Sequence, residues 1–154
     1  MPNAKVHRPV GMAVGAFTAC AMAPRDADPV NRLIEGLGGL LGGYIGAALP
    51  DKFDPATCPN HRGFAHSIVA AIAGGRVTVT SLSTWQDRFR TDAAAFQTLA
   101  EAQADGLKRI GYMLLSCLAL AIAGALAGLA AGYASHVLLD AGTPKGLPLL
   151  AKGF

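Results

Sequence analysis

Apolar residues run through this chain in long blocks, and the polar segments between them are short and rich in turn-forming residues. Residues 8 to 23 form a first helical block, closed by Pro24 and by the turn chemistry of residues 24 to 31. A second helix is predicted from about Asn31 to Leu49, stopped by Pro50. Beyond a polar loop from Asp51 to Asn60, a third starts near Gly63 and ends at about Gly74-Gly75. The stretch Val77-Thr78-Val79-Thr80 that follows is β-prone but isolated. Ser83 and Gln86 have capping-box spacing and open a fourth helix reaching about Arg109. Trp85, Phe89, Phe96, Leu99, Leu107 and Ile110 approximate one face of it, as in an amphipathic surface helix. A fifth, from about Tyr112 to Asp140, carries no charge until its end. At roughly 1.5 Å per residue it can cross a bilayer core of roughly 30 Å.

The pattern therefore predicts an all-α protein: an antiparallel bundle of about five helices, two or more of them membrane-embedded and rich in Gly and Ala. Composition sharpens this. Residues 1–154 are one domain by length, yet 52% are hydrophobic and 15% charged, with mean hydropathy +0.38. Average soluble domains carry roughly 25% charged residues. The formal charge of +3 arises from dispersed Lys and Arg, so charge gives no indication of nucleic-acid binding. Cys20, Cys58 and Cys117 form no CxxC and leave one cysteine over in any disulfide scheme. Lys5, Arg8 and Ala21-Met22-Ala23 have the outline of a secretory signal, but the apolar run is short and broken by Thr18, so a retained first helix is expected.

Two glycine ladders stand out. Gly38, Gly42 and Gly46 repeat every fourth residue in the second helix, and Gly124, Gly128 and Gly132 do so in the fifth. Such rows strip side chains from one stripe so that another backbone can approach, the small-xxx-small device of membrane helix pairs. They predict contact between these two helices, or self-association of the chain through them, with membrane lipid as the other partner.

The chemistry-bearing residues are few. All four histidines, His7, His61, His66 and His136, fall in or beside segments containing carboxylates or helix ends. An antiparallel arrangement carries His7, Asp51, His61, His66, His136 and Asp140 to one end of the bundle. His136 and Asp140 are spaced i, i+4 and share a helical face, where they can ligate one ion or form a hydrogen-bonded pair. His61 and His66 beside Asp51 and Asp54 offer mixed nitrogen and oxygen ligation suited to zinc, manganese or iron. Arg62 can pair with phosphate or with Asp54, and Cys58 is a possible thiolate or an ordinary loop cysteine.

Leu49-Pro50-Asp51, His61-Arg62-Gly63-Phe64-Ala65-His66-Ser67 and Ser135-His136-Val137-Leu138-Leu139-Asp140, followed by Thr143-Pro144-Lys145-Gly146, closely resemble the signature of the bacterial membrane-bound metal-dependent hydrolases. These are also described as YdjM-type, LexA-binding, inner-membrane-associated hydrolases. The family is thought to be distantly similar to zinc-dependent phospholipase C and P1-type nucleases. The resemblance spans nearly the whole chain.

It implies metal ligation by His7, Asp51, His61, His66, His136 and Asp140, around one or two divalent ions with zinc favoured. It also implies location in a bacterial inner membrane. The expected reaction is attack of a metal-activated water on a phosphoester, such as a phospholipid headgroup. Asp51 or Asp54 would serve as base, and Arg62 would neutralise developing charge. Two departures stand out: Ala65 replaces a usual Thr, and Lys52-Phe53-Asp54-Pro55 replaces a common Ile-Asp-His-Pro, so Asp54 matches only loosely. Residues 76–110 read as an amphipathic insertion particular to this protein. The rival expectation is a non-catalytic membrane scaffold whose His/Asp cluster clamps the helices.

Overall fold

The computed structural model describes the backbone of residues 4–53 and 68–141, and the side chains of residues 5–53 and 80–141. Four α-helices account for nearly all of it: α1 (Ala4–Met22), α2 (Pro29–Phe53), α3 (Ile68–Glu101) and α4 (Gly106–Ala141). α1 and α2 form an antiparallel hairpin, and α3 and α4 are joined by the short link 102–105. α2 and α4 run parallel, because Gly38, Gly42 and Gly46 face Ala121, Ala125 and Leu129 in that order. Consequently the start of α1 and the ends of α2 and α4 share one end of the bundle.

The expected third and fourth helices are one continuous α3 from Ile68, so the described residues form four helices where five were expected. Gly74-Gly75 and the β-branched run 77–80 lie inside it. Their unfavourable propensity, up to about 1 kcal/mol for a glycine, is small beside a helix that satisfies every backbone group internally. Ser83 is correspondingly no cap: its Oγ donates to the Thr80 carbonyl within the helix at 2.9 Å, and Gln86 is buried. The real cap is Asp105, whose Oδ1 accepts from the amides of Leu107 and Lys108 at 2.9 and 3.3 Å and opens α4 earlier than expected. Leu107 and Ile110 therefore belong to α4, and both are exposed. The buried stripe of α3 is Gln86, Ala93 and Ala100, spaced by seven. Pro50 does not end α2, which continues to Phe53 and so carries Asp51 on its last turn.

Size is distributed inside-out. The buried residues of α2 and α4 are mainly Gly and Ala, whereas large apolar side chains point outward: Phe17 is 76% exposed, Leu41 63% and Leu114 65%. Water would not tolerate so extensive an apolar surface on an isolated chain. Hydrocarbon does, and α2 and α4 are both long and apolar enough to cross a membrane. Half of the apolar stretch of α2 and more than half of that of α4 is left unburied by the rest of the chain.

Inside, backbone lies on backbone. A methyl placed on Gly42 would stand 2.8 Å from the Ala125 Cα, and one on Gly128 would stand 2.8 Å from the Gly39 Cα. Gly11 and Gly15 of α1 meet Gly43 in the same manner, so three helices interleave through glycine. This is the contact the two ladders predicted, and it occupies them within one chain.

Away from the shared end, an ion pair between the half-buried Arg90 and the buried Glu35 ties α3 to the hairpin. Arg90 donates to Glu35 at 2.7 and 3.0 Å and to the Met22 carbonyl at 3.0 Å, with Glu35 fully buried. Burial alone would lower the pKa of Arg90. Its hydrogen bond and attraction to Glu35, helped by Asp87, outweigh that and hold it above the usual arginine value.

Candidate metal centre

Four of the predicted ligands meet where α1, α2 and α4 come together. His7 points inward from the second turn of α1, Asp51 comes from the last turn of α2, and His136 and Asp140 come from one face of the end of α4. His7, His136 and Asp140 are buried, His136 completely. Asp51 keeps 47% of its side chain exposed and is the only partly open member of the four.

The two imidazoles stack, with ring centroids 3.8 Å apart and planes 16° from parallel. The Asp140 carboxylate spans both, with Oδ1 3.6 Å from His7 Nε2 and Oδ2 3.7 Å from His136 Nε2. Asp51 Oδ1 stands 3.5 Å from His136 Nε2. These separations exceed a good N–H···O hydrogen bond of roughly 2.7–3.2 Å. They are close to the ligand–ligand spacing of about 3.3 Å that follows from bonds of roughly 2.0–2.1 Å at a tetrahedral ion. One ligand atom each from His7, His136 and Asp140 lies within 4.8 Å of the others, so the group can hold a metal ion.

A further contact orients the donor set. His136 Nδ1 lies 2.6 Å from the Ala47 carbonyl, which assigns the Nδ1 proton to that bond. Nε2 then faces the oxygens of Asp51 and Asp140, the side on which a cation would be held. A carbonyl fixing the tautomer of an imidazole is the usual support of a metal-ligating histidine. Sequence reasoning missed this acceptor, since a backbone oxygen has no residue-type signature. The available signal was the Gly43-x-x-Gly46-Ala47 row, whose small side chains admit α4 close enough for the bond.

Asp54, Cys58, His61, Arg62 and His66 lie outside the described residues. The buried Glu35–Arg90 pair was also not foreseen: Arg90 sits in a segment read only as amphipathic.

Together these features define a helical membrane protein with a His/Asp cluster at one end of a glycine-packed bundle. The chain belongs to the YdjM inner membrane protein family, whose family model matches residues 3–151. No curated protein and no solved structure matches it.

Proposed function

We propose that this protein is a membrane-embedded, metal-dependent hydrolase of phosphoester bonds. The observation that carries the reading is the convergence of His7, His136 and Asp140 on one point, with the partly open Asp51 beside them. His7, His136 and Asp140 would hold the ion, and His61 and His66 would complete one or two sites. The mixed imidazole and carboxylate set favours zinc, with manganese or iron also compatible. A bound divalent ion supplies Lewis acidity and brings the pKa of a water it holds toward neutrality. Asp51, or alternatively Asp54, would take a proton from the attacking water. Arg62 would stabilise charge developing on the phosphoryl oxygens. A phosphoester of a lipid headgroup suits a site at the end of a bilayer-spanning bundle.

The complete burial of His136 favours a second reading, in which the cluster clamps α1, α2 and α4 without catalysis. Elemental analysis of protein purified without added metal, beside hydrolysis of phosphodiester and phospholipid substrates, decides between them. Metal-bearing protein that cleaves none of a broad ester panel supports the clamp. Metal-free protein with an intact fold defeats both metal readings.

A further inference from the structure

The arginines of this chain differ in how their donors are spent. Arg90 is committed to Glu35 and the Met22 carbonyl, Arg88 pairs with Asp92 at 3.4 Å, and Arg32 donates to the carbonyls of Pro24 and Arg25. Arg8 is different. It follows His7 on α1 but points outward, and its guanidinium lies 5.2 Å from the centroid of the Tyr44 ring. Nη1 donates to the Tyr44 hydroxyl at 3.0 Å. No acidic side chain or carbonyl pairs with Arg8 among the described residues.

Their surroundings make this notable. Tyr44 is 40% exposed and flanked on α2 by Leu41 and Ile45, both outward-facing, so the pair sits on the apolar outer surface. Arg8 adjoins His7, which places the pair toward the bundle end that carries the His/Asp cluster. Arginine and tyrosine at such a depth occupy the headgroup boundary. A guanidinium has five N–H donors, of which Tyr44 accepts one, and the tyrosine hydroxyl still has its own proton to give. Both residues therefore present donors toward a region whose abundant acceptor is phosphate, and a planar guanidinium matches phosphate oxygens bidentately.

We propose that Arg8 and Tyr44 form a binding site for the phosphate group of a phospholipid, on the lateral face of α1 and α2 beside the His/Asp cluster. The ring holds the guanidinium flat against the helix surface, Arg8 provides the charged fork, and the Tyr44 hydroxyl adds a third donor. The acyl chains would lie along Leu37 and Leu41, which face outward on the same side of α2 as Tyr44. The site goes beyond the hydrolase reading and requires only that the bundle stands in a bilayer.

Calorimetric titration of the detergent-solubilised full chain tests it with three probes: dioctanoyl phosphatidic acid, dioctanoylglycerol and inorganic phosphate. Wild type should bind phosphatidic acid saturably and far more tightly than either other probe. Arg8→Gln should weaken that binding about tenfold, the scale of losing a charge-assisted bond. Tyr44→Phe should weaken it less, and Arg8→Lys should fall between wild type and Arg8→Gln, with helical circular dichroism unchanged throughout. Stripping metal with a chelator should leave lipid binding intact, so a failed metal centre and a failed lipid site give different results. Equal affinity in wild type and Arg8→Gln overturns the proposal. So does dioctanoylglycerol binding as tightly as phosphatidic acid, or inorganic phosphate matching the lipid.

Discussion

Substituting Gly128 by alanine adds one methyl group, and the structure specifies what it meets. The new carbon would stand 2.8 Å from the Gly39 Cα and 2.7 Å from the Gly39 carbonyl carbon, both main-chain atoms of α2. Comfortable carbon–carbon contact is roughly 3.5–4.0 Å, so the two helices must part by about 1 Å there. A gap of that size forfeits about a quarter to a half of the dispersion attraction across the neighbouring rungs. Lipid tails are as apolar as the helices, so no hydrophobic drive compensates, and overpacking of this kind costs about 1–3 kcal/mol. Gly111 is the matched control on the same helix, since a methyl there meets nothing within 4 Å. Gly111→Ala should be neutral or stabilise by up to about 1 kcal/mol through helix propensity alone. Thermal unfolding in detergent, followed by circular dichroism, should show Gly128→Ala melting about 2–12 °C lower, at roughly 2–4 °C per kcal/mol for a chain of this size. Equal melting temperatures for Gly128→Ala and wild type would refute close packing of α2 on α4.

The remaining expectations concern polar groups. Glu35→Ala leaves the Arg90 guanidinium without its buried counter-ion and should cost about 3–5 kcal/mol, whereas Glu35→Leu combined with Arg90→Met should recover most of that; a double variant as unstable as the single one would contradict the ion-pair argument. Asp105→Ala removes the acceptor at the start of α4 and should cost about 1 kcal/mol in the same melting assay, while Ser83→Ala should cost almost nothing, because Ser83 only bonds back within α3. His136→Ala should abolish metal retention in elemental analysis while leaving helical content near wild type; metal retained at wild-type stoichiometry would remove His136 from the ligand set. Asp51→Asn should abolish hydrolysis of a phosphodiester with the fold intact, and full activity would move the base elsewhere.

What the sequence disclosed and concealed divides along physical lines. Periodicity exposed the helices and the two glycine ladders, because a missing side chain every fourth residue has one plausible use in apolar surroundings. His7, Asp51, His136 and Asp140 could be brought together from helix order alone, since each sits near a helix end and the hairpin α1–α2 returns to its origin. Boundaries fared worse. Gly74-Gly75 and the β-branched run 77–80 signal a break by propensity, but α3 continues through them, since a propensity cost of up to about 1 kcal/mol per glycine is small beside the bonds of an unbroken helix. Pro50 likewise reads as a stop from local rules, although a proline removes only one helical bond and α2 runs one turn further. The Arg8–Tyr44 and Glu35–Arg90 pairs were illegible for another reason: each joins residues at least 36 positions apart that have no motif between them.

The packing and the candidate site are one device. Two imidazoles stack at 3.8 Å and share one carboxylate where the helices bearing them approach nearly backbone to backbone. Leucine-faced helices stand roughly 8–10 Å apart, and the glycine contacts hold α1, α2 and α4 closer than that. Gly11 against Gly43 and Ala47, and Gly132 against Gly43, bring α1, α2 and α4 within that reach one turn from the cluster. The same closeness lets the Ala47 carbonyl touch His136 Nδ1, fixing which nitrogen faces the carboxylates. Glycine therefore acts on the chemistry from a distance: by removing bulk between helices it converts ligands on separate elements into one donor set. The large apolar side chains it displaces find their place on the outside, where a bilayer accepts them.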